Sequence, residues 1–418
     1  MQLKHLGLTV FATFLAGVST PLPTLAAQEY TPDARQTNSY LELTTNQVVQ
    51  NQFNEFDNWF NQGNSLLDQG NYAEALKAYE RAIQINPESD LAWLGRGSAL
   101  YGLERYEEAI AAYNQAVELN PNLVEGWVGL GNALDDAGQP QKALDTYDQA
   151  LRLDSKNVSA WYNRAITLGR LGRHEEAIAA YDRVISINPN DENAWLNRGN
   201  ELYELKRYEK AIASYDRVLK INPNNEGAWF NKGLALGYLD RYEEAIAAFD
   251  RAVRLNPKND TAWFYRGVAL GILGQHEEAL AAFNRVVAIN PNDESAWYNQ
   301  GIALETLKRD QEALAAFNRV VELNPDRIDA WFKQGNALFR LKQYKDAVAS
   351  YDRVIELEPN DETAWYNRGI ALAMLQRYED AIAAFQETLR INPNNTDAKE
   401  NLEIMQEQVR QRVNYGIG

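Results

Sequence analysis

Residues 195–223 read WLNRGNELYELKRYEKAIASYDRVLKINP, and this stretch decides the fold. Trp195, Gly199 and Leu202 stand four and then three residues apart, the spacing of one helical face. After a break at Leu205-Lys206-Arg207, Tyr208 opens a second run in which Ala211, Tyr215 and Val218 share a face by the same spacing. Asn222-Pro223 ends it, because Pro disfavours helix for the residue before it and has no N–H to donate. The stretch therefore predicts two helices and a stop, with Gly199 and Ala211 small where the helices cross.

Working outward, the pattern repeats. Trp occurs ten times, at 59, 93, 127, 161, 195, 229, 263, 297, 331 and 365, always 34 residues after the last. A fixed period of this length means stacked repeats, in which each unit contacts only its neighbours. The small residue of the second helix is Ala in all ten, from Ala75 to Ala381; the Gly is replaced once, by Ala165, and the final Pro once, by Ser155. Trp, Gly, Leu, Ala, aromatic and Pro at these offsets resemble the tetratricopeptide repeat, over residues 56–395. The resemblance implies an all-α, right-handed α-solenoid of ten tandem helix-turn-helix repeats. It also implies that the residues one, two and five after each Trp line a concave groove. The departure from the family pattern is the residue before the Gly, usually Leu in the family but here mostly Arg, Lys or Gln.

That position covaries with the residue after the aromatic of the preceding repeat. An acid there is followed by a base: Glu80 with Arg96, Asp148 with Arg164, Asp182 with Arg198, Asp216 with Lys232, Asp250 with Arg266, Asp352 with Arg368. An Asn is followed by a neutral residue: Asn114 with Leu130, Asn284 with Gln300, Asn318 with Gln334. A base replacing a half-buried Leu needs its charge paired, so the pattern predicts a polar clamp between neighbouring repeats.

The ends differ. Residues 1–27 have Lys4, an uncharged apolar run from 6 to 18, helix breakers at Pro21 and Pro23, and small residues before a cut near Ala26 or Ala27, the layout of a secretory signal peptide. The polar stretch 28–55 is expected to be linker in its first half, with a possible N-cap helix from 46 to 55. Residues 396–418 are expected to form a C-terminal capping helix, with Ala398, Leu402, Met405 and Val409 on one face, and a short tail. The expected location is outside the cytoplasm, in the periplasm or extracellular space, or the thylakoid lumen in a photosynthetic bacterium, with no membrane insertion once the signal is cleaved.

A formal net charge of −17 argues against nonspecific binding to nucleic acid or anionic membrane, and the absence of Cys excludes disulfides, thiolate metal sites and Cys nucleophiles. The three His are His5, His174 and His276, the last two replacing Tyr in separate repeats. Asp135 and Asp136 stand at a helix end with no partner base expected. No phosphate loop, nucleophile elbow or metal-spaced His pair is present, so no enzyme activity, cofactor or metal is expected.

The expected partner is another protein. Candidate groove residues are Phe230, Phe264 and Tyr298, one after the Trp, and Asn163, Asn197, Asn231 and Asn299, two after it, with Asn200 from the third series. An Asn side chain can bridge the N–H and C=O of an extended peptide, and aromatic surface beside it supplies apolar contact. The alternative is that these Asn are spacers and the rings pack between helices. A carboxylate clamp is not expected, because the position it needs as Lys is apolar in every repeat. The sequence thus points to a scaffold holding an extended segment of a partner, or alternatively to a structural part of an envelope transport or assembly machine.

Overall fold

The computed structural model describes residues 32–414, and among these every regular element is a helix, twenty-one in chain order. The expected signal peptide and the residues after 414 lie outside them. The chain divides into two compact units, one ending at Ala194 and the other beginning at Trp195. Within each, first and second helices of about equal length alternate, for example Val124–Asp136 with Pro140–Leu153, and Asp260–Ile272 with His276–Ile289. Within a unit, neighbouring first helices touch, as Asp90–Gly102 does Val124–Asp136, and a second helix such as Tyr106–Leu119 packs between its own first helix and the next.

Local chemistry sets each boundary. Most first helices begin on a capping side chain: Asn157 accepts from the Ala160 N–H at 2.8 Å, Asn225 from Ala228 at 2.7 Å, and Asp293 from Ala296 at 2.9 Å, whereas Leu123 and Arg327 supply none. Between the paired helices the chain passes through a left-handed residue, either Gly, as at Gly138 and Gly172, or a polar residue, as at Glu104 and Lys206. The indole N–H of Trp127 donates to the Pro121 carbonyl at 2.9 Å, and Trp229, Trp297 and Trp365 do the same to Pro223, Pro291 and Pro359. Trp therefore closes the turn into its own repeat as well as filling space.

The crossing Ala residues, Ala75, Ala109, Ala143 and Ala211 among them, are fully buried. The Gly four after the Trp has a different cause from the one expected. A Cβ added at Gly131 would lie 2.4 Å from the Tyr147 ring, and one at Gly233 would lie 2.6 Å from Phe249. The second-helix aromatic, and not the helix crossing, requires that glycine.

The N-terminal end departs from expectation. Helix runs unbroken from Pro32 to Asp68, through most of the expected linker and the lead-in segment and on through the first helix of repeat one. No Gly or Pro interrupts residues 33–62, and Pro at the first helical position is tolerated because its missing N–H would be unpaired there. At the other end, helix spans Thr396–Asn414, and Ala398, Leu402 and Met405 pack on the last repeat as a cap.

Candidate functional site

The junctions between repeats account for the unusual bases. Arg164 Nε lies 2.8 Å from Asp148, and Lys232 Nζ 2.6 Å from Asp216. Arg266 and Arg368 lie 2.6 Å from Asp250 and Asp352, and Arg96 3.6 Å from Glu80. The sixth acid and base, Asp182 and Arg198, belong to different units; Arg198 donates to Ser214 Oγ at 2.7 Å. Each of these six bases also stands over the Trp ring three residues earlier, 5.5 to 5.8 Å from its centroid. At the neutral junctions Gln300 and Gln334 donate to Asn284 and Asn318 at 2.6 and 2.7 Å, and Leu130 is simply buried.

A second clamp, which the sequence reading missed, links positions 35 apart. Tyr101 donates to Asp136 at 2.5 Å, Arg170 pairs with Asp135 at 2.6 Å, and Arg340 pairs with Glu305 at 2.9 Å. Asp135, expected to lack a base, is thus paired, and it also accepts from Thr167 at 2.8 Å. Burial still raises its pKa, against the pull of Arg170. Lys333, the one base in the second groove series, is held by Glu305 at 2.9 Å.

The asparagines form a third, regular network on the first-helix layer. The buried second-helix tyrosine donates to the residue five after its own Trp: Tyr79 to Asn64 and Tyr147 to Asn132 at 2.8 Å, Tyr215 to Asn200 at 3.0 Å, Tyr351 to Asn336 at 2.8 Å. Tyr113 uses Ser98 at 3.2 Å, and burial pushes its hydroxyl up to about 12. Where the aromatic is Phe, at 249, 283, 317 and 385, that position is Leu234, Val268, Ile302 or Ile370. The hydroxyl and its acceptor change together, with Tyr181 beside Ile166 the exception in sequence. This signal was present in the sequence, 15 residues apart.

The next repeat adds to the network. Asn163 Nδ2 donates to Asn132 Oδ1 at 2.8 Å, Asn231 to Asn200 at 2.9 Å, and Asn367 to Asn336 at 3.5 Å. In each pair the shared oxygen is fully used. Among the described residues, the NH2 of Asn200 and the carbonyl oxygen of Asn231 have no further partner, and the same atoms are spare in the other two pairs. Each pair is half-buried and offers one donor beside one acceptor.

The remaining candidates divide. Asn299 turns back to the Ser295 carbonyl at 2.8 Å. Asn197 lies on the helix Glu192–Glu204, which crosses from one unit to the next. Phe230 and Phe264 each lie about 6 Å, centroid to centroid, from the second-helix aromatic of their repeat, Phe249 and Phe283. Tyr298 packs on Phe317 likewise and is covered by the Arg327 guanidinium at 4.0 Å. These rings are half-buried packing elements. The openly exposed rings nearby are Tyr265 and Tyr238, 41% and 63% accessible. Among the described residues no group of three His, Cys, Asp or Glu side chains could hold a metal ion, and no helix is long and apolar enough to cross a membrane.

Stacked helical hairpins with polar junctions and a first-helix layer of amides and rings define an α-helical repeat scaffold, the class of protein that binds other proteins. The chain belongs to the tetratricopeptide repeat family, whose models match residues 60–123, 128–192, 192–225, 230–294, 273–328 and 332–396. No curated protein matches it. Among solved structures, it is similar to the C-terminal part of a TPR repeat-containing protein from Cytophaga hutchinsonii, at 20% identity and TM-score 0.52, over 57% of this chain and 98% of that one. It is also similar to YrrB, described as a TPR protein with an unusual peptide-binding site, at 24% identity and TM-score 0.40, over 45% and 96%. MamA from Desulfovibrio magneticus RS-1 aligns at 23% identity and TM-score 0.39, over 41% and 96%. These likenesses concern the fold.

Proposed function

We propose that this protein is a scaffold that holds an extended segment of another protein on its first-helix layer, through the backbone of that segment. The observation that carries this reading is the pair Asn200–Asn231, whose spare NH2 and spare carbonyl match a peptide C=O and N–H. Exposed Tyr238 and Tyr265, on the same and the following repeat, supply apolar contact without strict sequence demand. The array is preorganised, so little ordering entropy is lost on binding. The signal-like N-terminal sequence supports work outside the cytoplasm, in the periplasm, the extracellular space or a thylakoid lumen.

The test uses peptides selected against the full chain from a displayed random library. Asn200→Asp keeps the oxygen that Tyr215 and Asn231 need but removes the spare NH2; Asn231→Leu removes the spare carbonyl. Each change is expected to weaken a selected peptide about tenfold, roughly one hydrogen bond. Replacing one peptide amide by an ester is expected to cost the same in the parent chain and nothing further in Asn231→Leu. Peptides indifferent to both substitutions would refute backbone capture at this pair.

A further inference from the structure

Two repeats of this chain stack a planar group on the tyrosine that opens their second helix. Tyr238 lies parallel to Tyr208, with ring centroids 5.0 Å apart and planes 9° apart. Arg412, from the C-terminal helix, stands over Tyr378 at 4.3 Å and donates to the Gln376 backbone oxygen at 3.3 Å and to its Oε1 at 3.0 Å. Tyr106 holds the same register position in repeat two. There Glu104 corresponds to Gln376, Asp136 to Tyr238, and Pro140 to Arg412.

Repeat two therefore keeps the tyrosine and an acceptor but has neither the stacking ring nor the guanidinium. It has two carboxylates instead. Both act on Tyr106, whose pKa is raised first by burial, then by Asp136 and Glu104. The Glu104 carboxylate has no hydrogen bond or ion pair among the described residues. Asp136 accepts from Tyr101 at 2.5 Å and stands 3.8 Å from Arg170, whose close partner is Asp135 at 2.6 Å. Tyr101 borders Tyr106 on one side, with centroids 5.7 Å apart and planes at 59°.

Asp136 serves the inter-repeat clamp through Tyr101, whereas no contact of the fold among the described residues uses the Glu104 carboxylate. Asp136 closes the helix Val124–Asp136, at the negative end of its dipole, where a carboxylate is disfavoured. Glu104 occupies a left-handed turn position, φ 59°, that is Gly in four other repeats and Lys, Asp or Gln in five. The three repeats around it are acidic, with 16 acidic side chains and 7 basic ones in residues 56–157, and Arg170 of the next repeat reaches Asp136 while pairing more closely with Asp135.

We propose that Tyr106, Glu104 and Asp136 form a seat for a guanidinium supplied from outside the chain, the side chain of an arginine in a protein partner. The occupant follows from the chain itself. Arg412 fills the corresponding seat on Tyr378, and the change from Gln376 to Glu104 adds the negative charge that a foreign cation needs. Arginine fits better than lysine because its planar group can stack on the ring while its N–H fork reaches both carboxylates.

The full chain carrying 3-fluorotyrosine at position 106 tests this by fluorine NMR, titrated with N-acetyl-arginine amide and with its lysine and citrulline counterparts. The arginine compound is expected to shift the signal saturably, at a concentration about threefold or more below the lysine compound, while citrulline leaves it unmoved. In Glu104→Gln with Asp136→Asn, where Tyr101 keeps an acceptor, the half-saturating concentration is expected to rise about tenfold. The same label at 378, already under Arg412, is expected to stay silent. A silent label at 106, a response equal for lysine and arginine, or a response that survives the double substitution would overturn the proposal. The amide pairs play no part in this readout, so its failure leaves backbone capture untouched.

Discussion

The pairing of Tyr79 with Asn64 can be tested as a closed cycle, because the chain contains its own replacement for the pair. Tyr79 is fully buried, wedged against Gly63 and Gly95, and its hydroxyl has Asn64 as its acceptor at 2.8 Å. Asn64→Leu leaves that hydroxyl buried without an acceptor, at a cost of about 1–3 kcal/mol. Tyr79→Phe leaves only the half-buried Asn64, which water can reach, and costs about 1 kcal/mol. The double variant recreates Phe249 with Leu234, a combination repeat six already packs. It is expected to lie at least about 1 kcal/mol above the sum of the two single losses, since neither orphan remains. Hydrogen exchange of the amides in the helix Tyr72–Ile85 reads this locally, which suits a repeat array better than one global unfolding curve. Asn64→Leu is expected to speed exchange about tenfold or more, and the second substitution to reverse most of that. Additive losses would refute the account of why Tyr and Asn change together.

Two further substitutions separate tight from open glycines. Gly97→Ala brings a Cβ within 2.7 Å of the Tyr113 ring and is expected to cost about 1–3 kcal/mol, whereas Gly271→Ala, with nothing within 4 Å, is expected to stabilise by up to about 1 kcal/mol; thermal unfolding checks both. For the clamp, Asp250→Asn alone is expected to destabilise more than Asp250→Asn with Arg266→Gln, which copies Asn284 with Gln300. The difference is expected to stay within about 1 kcal/mol and to shrink in high salt, because Asp250 is 32% accessible.

Much of this architecture was legible in residues 195–223 once their recurrence along the chain was seen. The Trp period showed the helical repeat, and the acid–base covariation pointed to five junctions where the two side chains lie 2.6 to 3.6 Å apart, because both are patterns of residue type at fixed spacing. What stayed hidden depended on atoms rather than types. Gly199 reads as a helix crossing, yet only the structure shows the Tyr215 ring lying 2.5 Å from where its Cβ would be. Asn200 reads as a groove residue, yet its oxygen already serves Tyr215 and Asn231; the Tyr-to-Phe switch 15 residues later carried that information. Asp135 reads as unpaired because Arg170 is 35 residues away, one more than the repeat period, and the comparison in register passes over it.

The groove candidates also changed in kind. Phe230, Phe264 and Tyr298 are fixed by their own second helices, so the apolar contact passes to Tyr238, outside the Trp-based register, and to Tyr265, which stands two after Trp263 but is not one of the Asn picked from that series. The backbone-capture reading accordingly rests on the amide pairs rather than on the candidate Asn taken singly.

The measurement that tests this central claim most directly is photo-crosslinking in the native host from position 265, with Glu244 on a second helix as the control. A partner captured from 265 and not from 244, and lost when Asn231 is changed to Leu, is what the account predicts. Capture equal from both positions, or untouched by Asn231→Leu, would contradict it and favour a structural role in which the first-helix layer is not the working surface.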